Sequence, residues 1–153
     1  NNENSEYSAL VKRKIEQLRT GSTGIFVLHH ALVAFPQWPT WGEICGVQKR
    51  SHVHGETNQN IYVEIADSNH PITKNMQPWN IIDETYVTND ADSSSKILLK
   101  TNHSQSMSTI AWTRTYGKAR VFCYQNGHDN LAFSNPNFRT VLTKGIEWIT
   151  KRI

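Results

Sequence analysis

Short apolar runs bounded by glycine or polar residues recur along the chain and predict the strands of a sheet. The first run, Ile25–Leu28, follows Gly24 and is apolar throughout, which is typical of a strand buried on both faces in a parallel sheet. Later runs, alternating or short, predict strands over 61–65, 81–86, 97–99, 110–113 and 119–124. The last two strands are predicted to form a hairpin through Tyr116–Lys118.

Apolar positions at helical spacing predict helices near both ends of the chain. One covers 7–18 and is stopped by Gly21, and the other covers 137–152. Between the first strand and the polar segment 47–60, a loop rich in aromatic residues and proline leads into a short helix that ends near Gly46. This order of elements predicts an α/β protein with a mixed sheet.

Length and charge suit one ordinary domain. The chain has 153 residues, 37% of them hydrophobic and 19% charged, and a net charge of +3. Its basic runs, Lys12–Lys14, Lys49–Arg50 and Lys151–Arg152, are short and are predicted to be solvated surface rather than a nucleic-acid footprint. No apolar run approaches the ~20 residues that span a bilayer, so we expect no membrane partner. The compartment stays open between cytoplasmic and exported.

The two cysteines do not indicate redox chemistry. Cys45 and Cys123 lie far apart, and neither belongs to a CxxC motif. We expect both to be buried free thiols.

Three histidines fall where predicted strands end. His29 and His30 follow the first strand, and His128 comes after Gly127 beyond the last. Ligands of α/β sheets bind beyond the carboxyl ends of the strands, so these imidazoles are candidate site residues. If His29 and His30 continue their strand, their side chains point to opposite faces and only one enters the cleft.

Two further histidines raise the question of a metal. His52 and His54 would point the same way in an extended segment, and with His29 or His128 they would offer three nitrogens to a divalent ion. The competing interpretation is a polar loop with exposed histidines, because no HExxH motif or cysteine pair accompanies them. A divalent metal therefore stays an open alternative, and no cofactor is certain.

Several stretches together resemble a known family. They are Gly24–Leu32, Asn69–Thr73, Asp83–Tyr86, Ala111–Phe122, Gly127–Asp129 and Asn135–Trp148. In this order, over nearly the whole chain, they resemble the ThuA-like (trehalose utilisation) family, relatives of the class I glutamine amidotransferases. The resemblance implies a flavodoxin-like, amidotransferase-like three-layer sandwich and an association with sugar catabolism.

The sequence differs from these relatives in two ways that affect the expected domain boundaries and chemistry. ThuA-like domains begin with a strand–helix–strand unit before the helix at 7–18, so residues 1–153 are expected to be the C-terminal portion of such a domain, with an unpaired edge where that unit belongs. Amidotransferase relatives carry a cysteine on the turn after the first buried strand. His29 and His30 stand there instead, which argues against cysteine-based amide hydrolysis.

The resemblance and the strand-end positions together predict a carbohydrate site. His29, Glu84 and His128 are the predicted acid/base residues. Because neighbouring strand residues face opposite sides, only one of Asp83 and Glu84 is expected in the cleft. The predicted substrate contacts are His30, Trp38, Trp41, Asp83, Tyr86 and Asp129, the tryptophans by stacking on sugar rings.

Two functions remain open at this point. One is an enzyme acting on trehalose, a related glycoside or a keto-sugar. The other is a non-catalytic sugar-binding or assembly module of the same fold. In both, the partner is a small carbohydrate, and a homo-oligomer is compatible with the sequence.

Overall fold

The computed structural model describes residues 6–50 and 54–153, with side chains described over 8–50 and 55–153. In chain order the elements are α1 (Glu6–Gln17), β1 (Ile25–Leu28), a 3-10 turn (His29–Val33), α2 (Pro39–Cys45), β2 (His54–Ile65), β3 (Trp79–Val87), β4 (Lys96–Lys100), β5 (Thr109–Tyr116), β6 (Ala119–Tyr124), α3 (Asn130–Ser134) and α4 (Pro136–Ile149). The helices and strands predicted from the sequence are all present. Among the described residues, no helix has the length and apolar character needed to cross a bilayer.

The strands form a single six-stranded sheet in the order β1-β6-β5-β4-β2-β3. β1 runs parallel to β6, and every other described pair is antiparallel. The mixed α/β class is therefore confirmed. Within the described residues β1 has one strand neighbour, β6.

The sheet curls because β2 pairs with different strands along its length. Its last two residues, Glu64 and Ile65, pair with β4, whereas the segment from His54 to Val63 pairs with β3. A register shift between Glu56 and Gln59 interrupts this second pairing. Because the sheet curls, β3, the last strand in the order, lies next to the segment that follows β6. There the Gln125 side chain donates a hydrogen bond to the Glu84 carbonyl.

Helices cover both faces of the sheet. On β6, Val121 and Cys123 belong to an apolar cluster with α2, while the alternate residues Phe122 and Tyr124 pack in a second cluster with α3 and α4. Because both faces of the sheet are covered, β5 is buried continuously from Thr109 to Thr113. The result is a layer of helices, the sheet, and a second layer of helices.

The sequence interpretation of Arg50 was wrong. Predicted as solvated surface, its side chain is buried and donates to the carbonyl oxygens of Val47, Phe35 and Trp38. A guanidinium carries five N–H donors, so this one side chain joins carbonyl oxygens from the chain before α2 to one from the chain after it. The two cysteines are buried and free, as expected.

Candidate functional site

His29 lies at the point where β1 turns into the 3-10 helix. Its φ of 47° is in the left-handed region, which costs a residue with a Cβ about 1–2 kcal/mol. Contacts on both ring nitrogens hold it there: Nδ1 lies 2.8 Å from the Gln125 carbonyl oxygen, and Nε2 lies 3.0 Å from Glu84 Oε2. The imidazole is only 9% exposed, so its position is fixed by the fold.

The expectation that His29 and His30 continue the strand and diverge was wrong. Because the chain turns at His29, both rings approach one hydroxyl, that of Tyr86, at 3.1 Å from His29 Nε2 and 3.2 Å from His30 Nδ1. Burial raises the pKa of the Tyr86 hydroxyl well above its usual value, and the negative charge of Glu84 raises it further. Tyr86 therefore keeps its proton at neutral pH and acts as a hydrogen-bond donor.

Glu84 is the carboxylate that meets the histidines. It lies two residues before Tyr86 on β3, so both side chains project from the same face. Its Oε2 lies 3.0 Å from His29 Nε2 and 3.1 Å from His128 Nδ1. One oxygen atom thus links an imidazole at the end of β1 to an imidazole beyond the end of β6.

The Asp83 side chain projects from the face of β3 opposite to Glu84 and holds the loop that carries His128. Its carboxylate accepts from the backbone N–H groups of Gly127 at 2.7 Å, His128 at 3.0 Å and Glu84 at 2.8 Å. Gly127 has a φ of 124°, which side-chain-bearing residues rarely adopt. The expectation that one of the two adjacent carboxylates enters the cleft agrees with this arrangement, and Glu84 is that one.

The convergence expected from the strand ends is therefore observed. One ligand atom each from His29, Glu84 and His128 lies within 4.8 Å of the other two. Exposure rises across the group, from 9% for His29 through 16% for Glu84 to 38% for His128. The group is consequently anchored on the His29 side and open to solvent on the His128 side.

A pocket of about 270 Å³ adjoins Glu84. It is lined by His30, Val33, Pro36, Arg50, Gly55, Glu84 and Tyr86. A Cβ at Gly55 would lie 2.2 Å from Glu84 Oε1, so only glycine leaves room for the carboxylate in this position. A slightly larger depression of about 310 Å³ lies between Asn80, Ile82 and Leu131, but no titratable side chain lines it. Of these two pockets, only the one beside Glu84 has titratable side chains in its lining.

Other predicted site residues lie elsewhere. Trp38 and Trp41 are buried in the apolar cluster with α2 and stack on each other, with ring centroids 6.4 Å apart. Asp129 caps α3 by accepting from the Leu131 N–H. The metal expectation on His52 and His54 falls outside what the structure describes, since His52 is not described and His54 is described only in its backbone.

Three residues that support the site escaped the sequence interpretation. Gln125 is fully buried, offering its carbonyl to His29 and its side-chain amide to Glu84. Arg50 and Gly55 line the pocket. The position of Gln125 directly after the predicted strand 119–124 could have marked it as a site residue, but nothing in the local sequence pattern indicated Arg50 or Gly55.

Fold and site together define a mixed α/β protein with a histidine–carboxylate group at the carboxyl ends of β1 and β6. The ThuA family model, described as trehalose utilisation, matches residues 1–149, and the chain belongs to this family. No curated protein is significantly similar to the chain.

Solved structures agree on the fold. A ThuA-like protein from Parabacteroides merdae superposes with a TM-score of 0.76 at 23% identity, over 94% of this chain and 65% of that one. A ThuA-like protein from Bacteroides uniformis gives 0.74 at 18%, over 95% and 64%. A cytoplasmic protein from Salmonella typhimurium gives 0.68 at 13%, over 91% and 59%. The chain thus spans less than two thirds of the length of these similar structures.

Proposed function

We propose that the chain acts in carbohydrate utilisation and that His29, Glu84 and His128 are its acid/base residues. The observation that carries this proposal is the single carboxylate oxygen, Glu84 Oε2, that lies within 3.1 Å of a nitrogen of both imidazoles. Carboxylates and imidazoles are the side chains that general acid–base catalysis uses most often, and here one carboxylate contacts two imidazoles. Membership of a family described as trehalose utilisation supports the choice of substrate class.

The two oxygens of Glu84 have different surroundings, which suggests a division of roles. Oε2 faces the imidazoles, while Oε1 lies beside Gly55, a residue that lines the pocket. In the proposed mechanism Oε1 takes the proton from the carbon next to the ligand's carbonyl, and the C–H electron pair becomes the C=C bond of an enol. His128, the more exposed imidazole, gives a proton to the former carbonyl oxygen, and His29 holds Glu84 in place.

The arrangement of carboxylates favours a keto-sugar over a simple glycoside. Glycoside hydrolysis ordinarily uses two carboxylates flanking the bond. Here Asp83 is buried and already accepts three backbone N–H groups, so it is not available as the second one. One base beside an imidazole suits removal of a proton next to a carbonyl, the reaction that an oxidised sugar permits.

Substrate contacts by His30 and Tyr86 are part of the same proposal, because both line the pocket beside Glu84. The finer fold assignment, flavodoxin-like and amidotransferase-like, is also a proposal. It is supported by the parallel β1–β6 pair and by helices on both faces of the sheet.

The test is turnover of a panel of disaccharides and their keto derivatives, followed by NMR of the products. We expect conversion of at least one keto derivative, and a loss of about 10²- to 10⁴-fold in Glu84→Gln and in His128→Gln. His103→Gln, which changes a histidine outside the site, is the matched control. Binding without turnover would favour the non-catalytic sugar-binding module. If no sugar of the panel is bound or converted, the carbohydrate assignment is wrong.

A further inference from the structure

When its ring is neutral, His29 places one of its nitrogens against a carboxylate oxygen with no proton between the two atoms. The Gln125 carbonyl can only accept, so Nδ1 of His29 carries the proton, and Nε2 of the neutral ring then presents a lone pair. That lone pair faces Glu84 Oε2, another acceptor, at 3.0 Å. The Tyr86 hydroxyl has one proton and can satisfy only one of the two acceptors. Either a second proton on the ring or a metal ion between the two atoms resolves the contact.

The spacing of the atoms suits a metal ion. Metal–nitrogen and metal–oxygen distances of about 2.0–2.2 Å place neighbouring ligand atoms roughly 2.8–3.6 Å apart. Glu84 Oε2 lies 3.0 Å from His29 Nε2 and 3.1 Å from His128 Nδ1. All three atoms lie within 4.8 Å of one another, so a shared ion requires only that the two imidazole nitrogens move slightly closer together.

We propose that His29 Nε2, Glu84 Oε2 and His128 Nδ1 bind one divalent first-row transition-metal ion. Two imidazole nitrogens and one carboxylate oxygen suit Zn²⁺, Co²⁺, Fe²⁺ or Mn²⁺, whereas Mg²⁺ and Ca²⁺ prefer all-oxygen sites. Three protein ligands leave coordination positions open for water or a ligand oxygen.

The surroundings of the three ligands match those of metal sites. A metal-bound histidine usually donates its second ring N–H to a carbonyl or carboxylate, which fixes the ring, and His29 donates to the Gln125 carbonyl. Glu84 is held through its backbone by Asp83 and Gln125. Asp83 also holds the backbone of His128. All three ligands are thus positioned by contacts that do not involve the ion.

This inference goes beyond the proposed function and does not depend on it, because an ion can bind whether or not a sugar is converted. It uses Glu84 Oε2 and leaves Oε1, on the pocket side, available for proton transfer. With the ion bound, His128 keeps its Nε2–H and acts on a ligand as a hydrogen-bond donor rather than as an acid. The ligand set differs from the sequence expectation, which centred on His52 and His54.

The experiment is a titration of chelator-treated protein with Zn²⁺ by calorimetry and with Co²⁺ by visible absorption. We expect one ion per chain with micromolar or tighter affinity, a Co²⁺ spectrum of low coordination number, and a rise in Tm with ion concentration. Glu84→Gln and His128→Ala should each weaken binding by about 100-fold or more. His128 is partly exposed, so its replacement leaves the core intact, and circular dichroism verifies the fold.

Two controls separate this site from other histidines. His30→Ala removes an imidazole that contacts Tyr86 and lies outside the proposed ligand set, and His103→Ala removes a more distant one. Both should bind the ion as the unaltered protein does. The proposal is overturned if no ion binds at about 1 mM, or if Glu84→Gln and His128→Ala bind as tightly as the controls.

Discussion

Asp83 should be the residue whose charge contributes most to the stability of the site. Its Oδ1 accepts from the N–H groups of Glu84 and His128, and its Oδ2 accepts from Gly127. In Asp83→Asn, either orientation of the amide turns an NH₂ group toward at least one of these donors. Hydrogen bonds to a charged acceptor contribute about 1.5–3 kcal/mol each, so we expect the free energy of unfolding to fall by about 2–4 kcal/mol.

Urea unfolding followed by tryptophan fluorescence measures this change, and a thermal scan should show Tm lowered by roughly 4–16 °C for a chain of this size. Hydrogen exchange should show the Gly127 and His128 amides losing protection before the rest of the sheet. Asp129→Asn is the matched control, because asparagine and aspartate cap helices about equally well. If the free energy of unfolding of Asp83→Asn lies within about 0.5 kcal/mol of that of Asp129→Asn, the Asp83 charge does not stabilise the site as argued.

Three further predictions concern single side chains. Gly55→Ala should displace Glu84, because its Cβ would lie 2.2 Å from Oε1, and should weaken metal binding with little change in stability; unchanged affinity would count against the assigned pocket geometry. Burial raises the pKa of Asp92, but hydrogen bonds from Ser94 and the Arg114 guanidinium outweigh it and hold the pKa below its usual value. This stabilisation is present above about pH 4 and is lost as pH falls through the folded pKa, so the stability advantage over Asp92→Asn should shrink below pH 4, as urea titrations can check. Cys123 is buried, which raises its thiol pKa, so a thiol reagent should modify it only after unfolding; rapid labelling of native protein would contradict this.

The sheet was largely predictable because its strands bury both faces. Apolar runs such as Ile25–Leu28 and Ala119–Tyr124 carry the strand signal in their own composition. The first half of β2 carries none: residues 54–60 are almost entirely polar, and their extended form comes from pairing with β3. α3 was missed because five residues are too few for a helical pattern.

The sequence predicted that His29, Glu84 and His128 lie close together, but not which residues hold them in place. Strand-end positions and the family resemblance pointed to His29, Glu84 and His128, since strand ends meet at one edge of a sheet. The turn at His29 was not visible, because it depends on tertiary contacts with Gln125 and Glu84 rather than on local propensity. For the same reason the sequence could not show that the Gln125 carbonyl is a partner, since every residue carries one.

The most direct test of the carbohydrate site is the response of the histidine side chains to a sugar. Imidazole signals in the NMR spectrum, recorded while a keto-disaccharide is added, report which histidines the ligand approaches. We expect the signals of His29 and His128 to shift together, that of His103 to stay unchanged, and Glu84→Gln to abolish the response. Saturable sugar binding that leaves His29 and His128 unchanged would contradict it.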